Sequence, residues 1–220
     1  NPSLVGIDVG RSMVKAVEFT LENKSLVLTG YGSAPVGGND EAASAVQSAL
    51  DSGGIKTKKS ATAICGRGVV VRYFPVACEP TESAIRQEVE KQAPDYIPFE
   101  LTEVEKDFFS VQEEDAAGDQ ELRIILVAAK SSEIESRVQL LRACNVHPFI
   151  FDIDTFALGN SFELWAQNNG VSTEQVTGLV DIGATKTTIN IVQGTISNFS
   201  REVYIGSNDM ATAIAKRFGE

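Results

Sequence analysis

The sequence predicts an α/β fold with two related halves and a small α+β subdomain inserted between them. Short runs of apolar and β-branched residues alternate with helical patterns along the 220 residues. A strand-turn-strand segment, GIDVGRSMVKAVEF at residues 6–19, returns in altered form as VDIGATKTTINIV at residues 180–192. Between the two copies, strands and helices follow in a different order. Hydrophobic residues make up 43% of the chain, enough to supply the cores of such a fold.

The first half is predicted to form a mixed sheet with helices on its faces. Three strands at 4–9, 14–19 and 26–32 form a meander with short polar turns. A helix is predicted over 41–50, with Asp40 as its N-cap and a Gly-Gly pair after it. Residues 60–65 then have the pattern of a buried strand.

The inserted subdomain is predicted from a second set of patterns. Strands are expected at 69–74, 104–111 and 122–129, helices at 81–92 and 131–144, and a hairpin loop at 113–120. Thr81 opens the first of these helices and Pro94 closes it. The residues of this helix predicted to face the core are Ile85, Val89 and Gln92.

The second half is predicted to repeat the first and then to stop early. A strand at 149–153 and a helix at 155–167 precede strands at 177–182, 187–192 and 195–203, and a last helix begins near residue 207. A full second copy would continue with another strand and helix, so we expect an incomplete, truncated second domain. The predicted domains are 1–66, the insert 67–147, a return and link 148–170, and the start of the second domain 171–220.

Charge and cysteine content exclude several classes of function. The formal net charge of −11 repels a phosphate backbone, so nucleic acid is not expected as a partner. The three cysteines lack metal-ligand spacing and are expected to be buried thiols in a reducing compartment. No apolar run reaches the roughly 20 residues that cross a bilayer. We therefore expect a cytosolic protein that reaches a membrane only through partners.

The two repeated turns point to phosphate binding. Gly10 and Gly183 let the backbone come close to a ligand, and a tight turn directs N–H groups towards an anion. A carboxylate next to phosphates needs an intervening cation, so Asp8 and Asp181 are candidate Mg²⁺ ligands, acting through water. One Asp-X-Gly turn is common turn chemistry, and it is the matched pair that carries the prediction.

These motifs resemble the two phosphate motifs of the actin-like ATPase superfamily, in which duplicated, ribonuclease-H-like domains close on ATP and Mg²⁺. The resemblance implies metal-facing roles for Asp8 and Asp181. The residues matching its phosphate loops are Gly10, Arg11, Ser12, Lys15, Gly183, Ala184 and Thr185, with Thr187 as a further hydroxyl donor.

The region between the motifs narrows the resemblance. EVEKQAPDYIPFELTEVEKDFFSV, at residues 88–111, and the segment from Val180 onward are similar to the PilM family of type IV pilus assembly. In that family, a cleft between the insert and the first domain receives the cytoplasmic N-terminus of the membrane protein PilN. The resemblance implies a PilN-like partner, contacts with other pilus assembly proteins and a peripheral place at the inner membrane. Self-association is left open.

The sequence leaves several functions open. The first is an ATP-binding scaffold that couples nucleotide state to the PilN-like partner. The second is an actin-fold ATPase or kinase; we expect at most slow ATP hydrolysis, with Asp154 preferred over Asp152 for orienting water, although an Asp before a helix is more often an N-cap. The third is an adaptor of the type II secretion kind with little nucleotide binding, or an FtsA-like division protein.

Overall fold

The computed structural model describes residues 2–37, 42–114, 120–194 and 196–219. The predicted Asp40 N-cap and the tip of the predicted 113–120 loop lie outside the described residues. In chain order the elements are β1 (Ser3–Val9), β2 (Met13–Glu22), β3 (Ser25–Pro35), α1 (Ala42–Ser52), β4 (Lys59–Ile64), β5 (Val69–Val76), α2 (Glu82–Tyr96), a 3₁₀ turn (Leu101–Glu103), β6 (Val104–Glu114), β7 (Gln120–Lys130), α3 (Ser131–Ala143), β8 (His147–Ile153), α4 (Asp154–Asn169), β9 (Thr177–Ile182), β10 (Thr187–Gln193), β11 (Ile196–Val203) and α5 (Ser207–Phe218).

The chain divides into two compact units, residues 1–64 with 137–220 and residues 65–136. The first unit contains a five-stranded sheet in the order β3-β2-β1-β4-β8. The first three strands form the predicted antiparallel meander, and β4 and β8 join it in parallel. This sheet is therefore mixed, as predicted.

One face of the five-stranded sheet is packed by α1. Strand alternation places Val5, Ile7 and Val14 on the buried face. Helix spacing brings Val46 and Ala49 onto the same core, where both are fully buried. This packing anchors the start of β2, and with it the turn that joins β1 to β2.

A second, three-stranded sheet in the same unit has the order β11-β10-β9 and is antiparallel throughout. Helix α4 connects β8 of the first sheet to this second sheet. It packs on β10 through Gly159, where an added Cβ would lie 3.5 Å from the Asn190 side chain. Helix α5 follows β11. The repeated strand-turn-strand pattern thus occurs once in each sheet.

The second unit is an antiparallel sheet in the order β5-β7-β6 with α2 on one face. Thr81 is the N-cap of α2, and its hydroxyl accepts a hydrogen bond from the N–H of Ala84. Ile85 and Val89 face the core as predicted. The prediction for Gln92 was wrong, because Ala93 is buried in its place and Gln92 donates to Glu88.

The predicted end of α2 was also wrong, since the helix continues through Pro94 to Tyr96. Proline removes one backbone donor but cannot prevent a final turn that other contacts hold. Ile97 N–H donates to the carbonyl of Ala93 at 3.0 Å, and the Tyr96 ring stacks on Phe74 with centroids 4.1 Å apart. Arg72 Nε donates to the Tyr96 carbonyl. Tertiary contacts therefore override the local signal.

The cysteines differ from the prediction at two positions, and one of these, Cys78, is only partly buried. Cys144 is buried, and burial raises the pKa of its thiol. Cys65 is exposed, because it is the first residue after β4 and lies outside the sheet.

Candidate functional site

The two predicted phosphate turns have the same backbone geometry. In the first, Gly10 N–H donates to the Met13 carbonyl at 3.1 Å. In the second, Gly183 N–H donates to the Lys186 carbonyl at 2.9 Å. Each bond closes a hairpin with two residues at its tip. We call these hairpins the first loop (residues 10–13) and the second loop (residues 183–186). The sequence repeat is therefore also a structural repeat.

The loop glycines are required by close backbone approach. A Cβ on Gly10 would lie 2.7 Å from the Met13 carbonyl oxygen, and one on Gly183 would lie 3.1 Å from that of Lys186. Neither glycine has positive φ. A side chain at Gly10 would push the two arms of the hairpin apart, whereas one at Gly183 would require the Lys186 carbonyl to move by a few tenths of an ångström.

The tips of both loops offer backbone donors. Among the described residues, the N–H groups of Arg11, Ser12, Ala184 and Thr185 have no hydrogen-bond acceptor. Unused N–H groups at a tight turn are the ordinary means of binding an anion. Both tips can therefore accept a phosphate without breaking an existing hydrogen bond.

The carboxylates in front of the loops are exposed. Asp8 lies opposite Lys15 in the β1–β2 register, and their side chains form an ion pair at 3.2 Å. These side chains are 62% and 53% exposed, so the pair contributes at most about 1 kcal/mol and is easily exchanged for a ligand. Asp181 is exposed, and within the described ranges its carboxylate has no hydrogen bond or ion pair. Hard carboxylate oxygens with free coordination positions suit Mg²⁺.

The predicted hydroxyl donors differ in their availability. Thr187 Oγ1 donates to the Ile205 carbonyl at 2.7 Å, so its proton is already used within the protein. Ser12 and Thr185 are exposed at the loop tips. Of the predicted hydroxyls, these two are better placed to meet a ligand.

The second loop is held by the first turn of α5. Ser207 N–H donates to the Gly183 carbonyl at 2.8 Å, and Asn208 N–H donates to that of Ala184 at 3.0 Å. Gly206 N–H donates to the Asp209 carboxylate. The loop carbonyls therefore take up N–H groups that a helix start leaves unpaired.

Asp154 is engaged in an ionic cluster at the start of α4. It is the first helical residue, whereas Ile153 is the N-cap. Asp154 Oδ1 accepts from the N–H of Thr155, and Oδ2 is 2.6 Å from Lys186 Nζ. Lys186 Nζ is also 2.5 Å from Glu202 Oε1 on β11. We call Lys186, Asp154 and Glu202 the lysine cluster.

Sequence reasoning missed Lys186 and Glu202. Lys186 lies within the repeated segment at 180–192, but its partners Asp154 and Glu202 lie on α4 and β11. The signal that would have found the cluster is the register, since Glu202 pairs with Thr188 across β10 and β11.

Asp152 lies in a more buried setting. Burial raises the pKa of its carboxyl, the nearby Asp154 charge raises it further, and the N–H of Ile153 opposes both by donating to it. Asn160 Nδ2 is 3.5 Å from its second oxygen.

No helix in the described ranges has both the length and the apolar character needed to cross a membrane.

Comparison with known proteins gives a family match over almost the whole chain. Residues 6–220 match the family described as type IV pilus assembly protein PilM. A solved structure described as a PilM-PilN type IV pilus biogenesis complex is similar with a TM-score of 0.78 and 24% identity, and the match covers 99% of this chain and 66% of that chain. The present chain therefore spans just under two thirds of that protein.

More distant matches include MreB5 of Spiroplasma citri bound to ADP, with a TM-score of 0.46, 12% identity and coverage of 99% of this chain and 56% of that one. The ethanolamine utilization protein EutJ from Carboxydothermus hydrogenoformans has a TM-score of 0.47, 13% identity and coverage of 100% and 58%. Similarity at this level says nothing about ligands.

Proposed function

Because the chain belongs to the family of the type IV pilus assembly protein PilM, with an actin-like ATPase fold, we propose that it acts as an ATP-binding scaffold of pilus assembly. The observation that carries the proposal is the pair of equivalent loops, each closed by one glycine N–H and each preceded by an exposed carboxylate. A single loop of this kind would be ordinary turn chemistry. Two such loops at equivalent positions of a repeated fold favour a phosphate site to which both loops contribute.

The loops divide the proposed work between backbone and side chains. The N–H groups at 11–12 and 184–185 would bind phosphate oxygens, and Lys15 would leave Asp8 to offset phosphate charge. Asp8 and Asp181 would hold Mg²⁺ through water. A metal ion held there would neutralise phosphate charge.

The proposed partner is the cytoplasmic N-terminus of a PilN-like membrane protein. Its support is that the similar solved structure is a PilM-PilN complex, together with the family-like segment at 88–111. Such a peptide would place this protein at the inner membrane. Nucleotide state would change the affinity for the peptide by favouring one of two conformations.

Slow ATP hydrolysis is compatible with this scaffold role. Asp154 remains the proposed residue for orienting water, although Lys186 neutralises its charge. Loss of steady-state phosphate release in Asp154→Ala, with ATP affinity unchanged, is the expected result for that role.

Calorimetric titration of the full-length protein with ATP tests nucleotide binding. We expect binding that needs Mg²⁺ and falls about 10- to 100-fold in Asp181→Ala, the range seen when an outer-sphere metal partner is lost. Asp51→Ala is the matched control, because Asp51 is an equally exposed carboxylate on α1. Wild-type protein without measurable ATP affinity would contradict the proposal.

Coupling is tested separately with a synthetic N-terminal peptide of the neighbouring membrane component. Its affinity is measured with and without Mg-ATP, and we expect the two values to differ. Binding is reciprocal, so the peptide should shift ATP affinity by the same factor. Equal peptide affinity in both conditions would remove coupling and leave a scaffold that does not respond to nucleotide.

A further inference from the structure

We propose that Lys186 is a positioning residue that ties the second loop to the first turn of α4. Its main chain belongs to the loop, because its carbonyl accepts the closing bond from Gly183. Its side chain leaves the loop and ends between Asp154 of α4 and Glu202 of β11. A single residue thus joins the proposed phosphate turn to the helix that connects the two sheets.

The lysine cluster is partly buried and depends on its cation. The Lys186, Asp154 and Glu202 side chains are only 19%, 27% and 21% exposed. Two carboxylates within hydrogen-bond distance of one ammonium would repel each other if the ammonium were removed. Tyr204 donates to the second oxygen of Glu202 and fixes its orientation. The Lys186 ammonium therefore links the Asp154 carboxylate of α4 to the Glu202 carboxylate of β11.

The next residue of α4 is tied to the same sheet by a different bond. The Thr155 carbonyl accepts from Asn190 Nδ2 at 2.8 Å, and Ser197 Oγ donates to Asn190 Oδ1 at 2.6 Å. Asn190 is fully buried on β10. Two consecutive residues, Asp154 by its side chain and Thr155 by its backbone, thus fasten the start of α4 to the second sheet.

The residue before them belongs to the first sheet. Ile153 pairs with Ile64 at the end of the β4–β8 ladder. The chain therefore passes from one sheet to the other at the peptide that joins Ile153 to Asp154. A ligand that moves or fixes the second loop would act on this junction through Lys186. This inference rests on the proposed function in one respect, that the ligand is Mg-ATP.

Hydrogen exchange of the full-length protein tests the tie in two arms. In the first, without nucleotide, Lys186→Met should speed amide exchange at residues 155–158, and adding Asp154→Asn should speed it no further. Lys186→Arg, which keeps the cation, should restore slow exchange. Lys216→Met is the control, since Lys216 is exposed at the far end of α5. Unchanged exchange at 155–158 in Lys186→Met would overturn the proposal.

The second arm adds Mg-ATP. In wild-type protein, ATP should slow exchange in the second loop and at 153–157. In Lys186→Met it should still slow the loop while its effect at 153–157 is lost. Equal slowing at 153–157 in both proteins would overturn the proposal. Failure of ATP to protect the wild-type loop would instead count against the proposed function, and the first arm would still decide the tie.

Discussion

Gly206→Ala should release the second loop from α5. Gly206 has extended backbone angles, with φ −132° and ψ −173°, so alanine is not strained by its own backbone. Its added Cβ, however, would lie 2.4 Å from the Ala184 carbonyl oxygen and 2.5 Å from Thr185 N. All the nearby atoms are backbone atoms, which cannot rotate away. The loop must move as a whole.

The expected cost follows from the hydrogen bonds that this movement breaks. Two bonds join the loop to α5, from Ser207 N–H to Gly183 and from Asn208 N–H to Ala184. At a net 0.5–1.5 kcal/mol each, their loss costs about 1–3 kcal/mol. That free energy corresponds to exchange about 5- to 150-fold faster at the two amides.

Amide exchange at Ser207 and Asn208 is the direct assay, because these N–H groups are the donors that would be lost. Gly206→Ser is a matched variant that adds a capping hydroxyl and keeps the clash, so it should also show fast exchange. Gly178→Ala is the control, since its Cβ would meet only Ile191 Cδ1 at 3.7 Å. Exchange in Gly206→Ala equal to that in Gly178→Ala would refute the reasoning, and slow exchange in Gly206→Ser would point to capping instead.

Two further predictions concern the start of α4. Asp152→Asn should stabilise the protein at neutral pH. The pKa of the Asp152 carboxyl is raised in the folded state, so the protein loses stability as pH rises from the ordinary carboxyl pKa of 3.8 through the raised pKa. Asparagine does not ionise, so the variant does not lose this stability. Thermal unfolding should show the gain at pH about 7 and almost none below pH about 3.8; an equal gain at both would contradict it. Asn190→Ala should cost about 1–3 kcal/mol in urea unfolding, because the buried Thr155 carbonyl loses its Asn190 donor and the Ser197 hydroxyl loses its Asn190 acceptor. Asn169→Ala, which loses one exposed bond to Trp165, should cost under about 1 kcal/mol, and equal costs would show that burial of Asn190 is not the reason.

The order of strands and helices was predictable because local patterns decide it. Alternating buried and exposed side chains mark β1 and β2, and the two glycines after α1 mark the end of that helix. The end of α2 was not predictable, since Pro94 is a stop signal in isolation, and the ring of Phe74 and the side chain of Arg72, both distant in sequence, help to hold the last turn. Local sequence signals mispredict the end of an element when contacts with residues distant in the sequence stabilise it.

The site divides in the same way. The repeat predicted Asp8, Gly10, Asp181 and Gly183 as site residues, because turn chemistry is local. The partners of Asp154 could not be read from spacing, because Lys186 lies in the second loop and Glu202 on β11, and only tertiary packing brings them to Asp154.

The change of sheet at a single peptide gives α4 the character of a lever arm. The helix has 16 residues, which at 1.5 Å per residue is a rod of about 24 Å. A turn of about 10° at its first residue would sweep the far end through about 4 Å by that length. The single tryptophan, Trp165, lies near that end with its ring half exposed. A small rotation at the start of α4 would therefore be a displacement of several ångströms near Trp165, whose fluorescence reports on its surroundings.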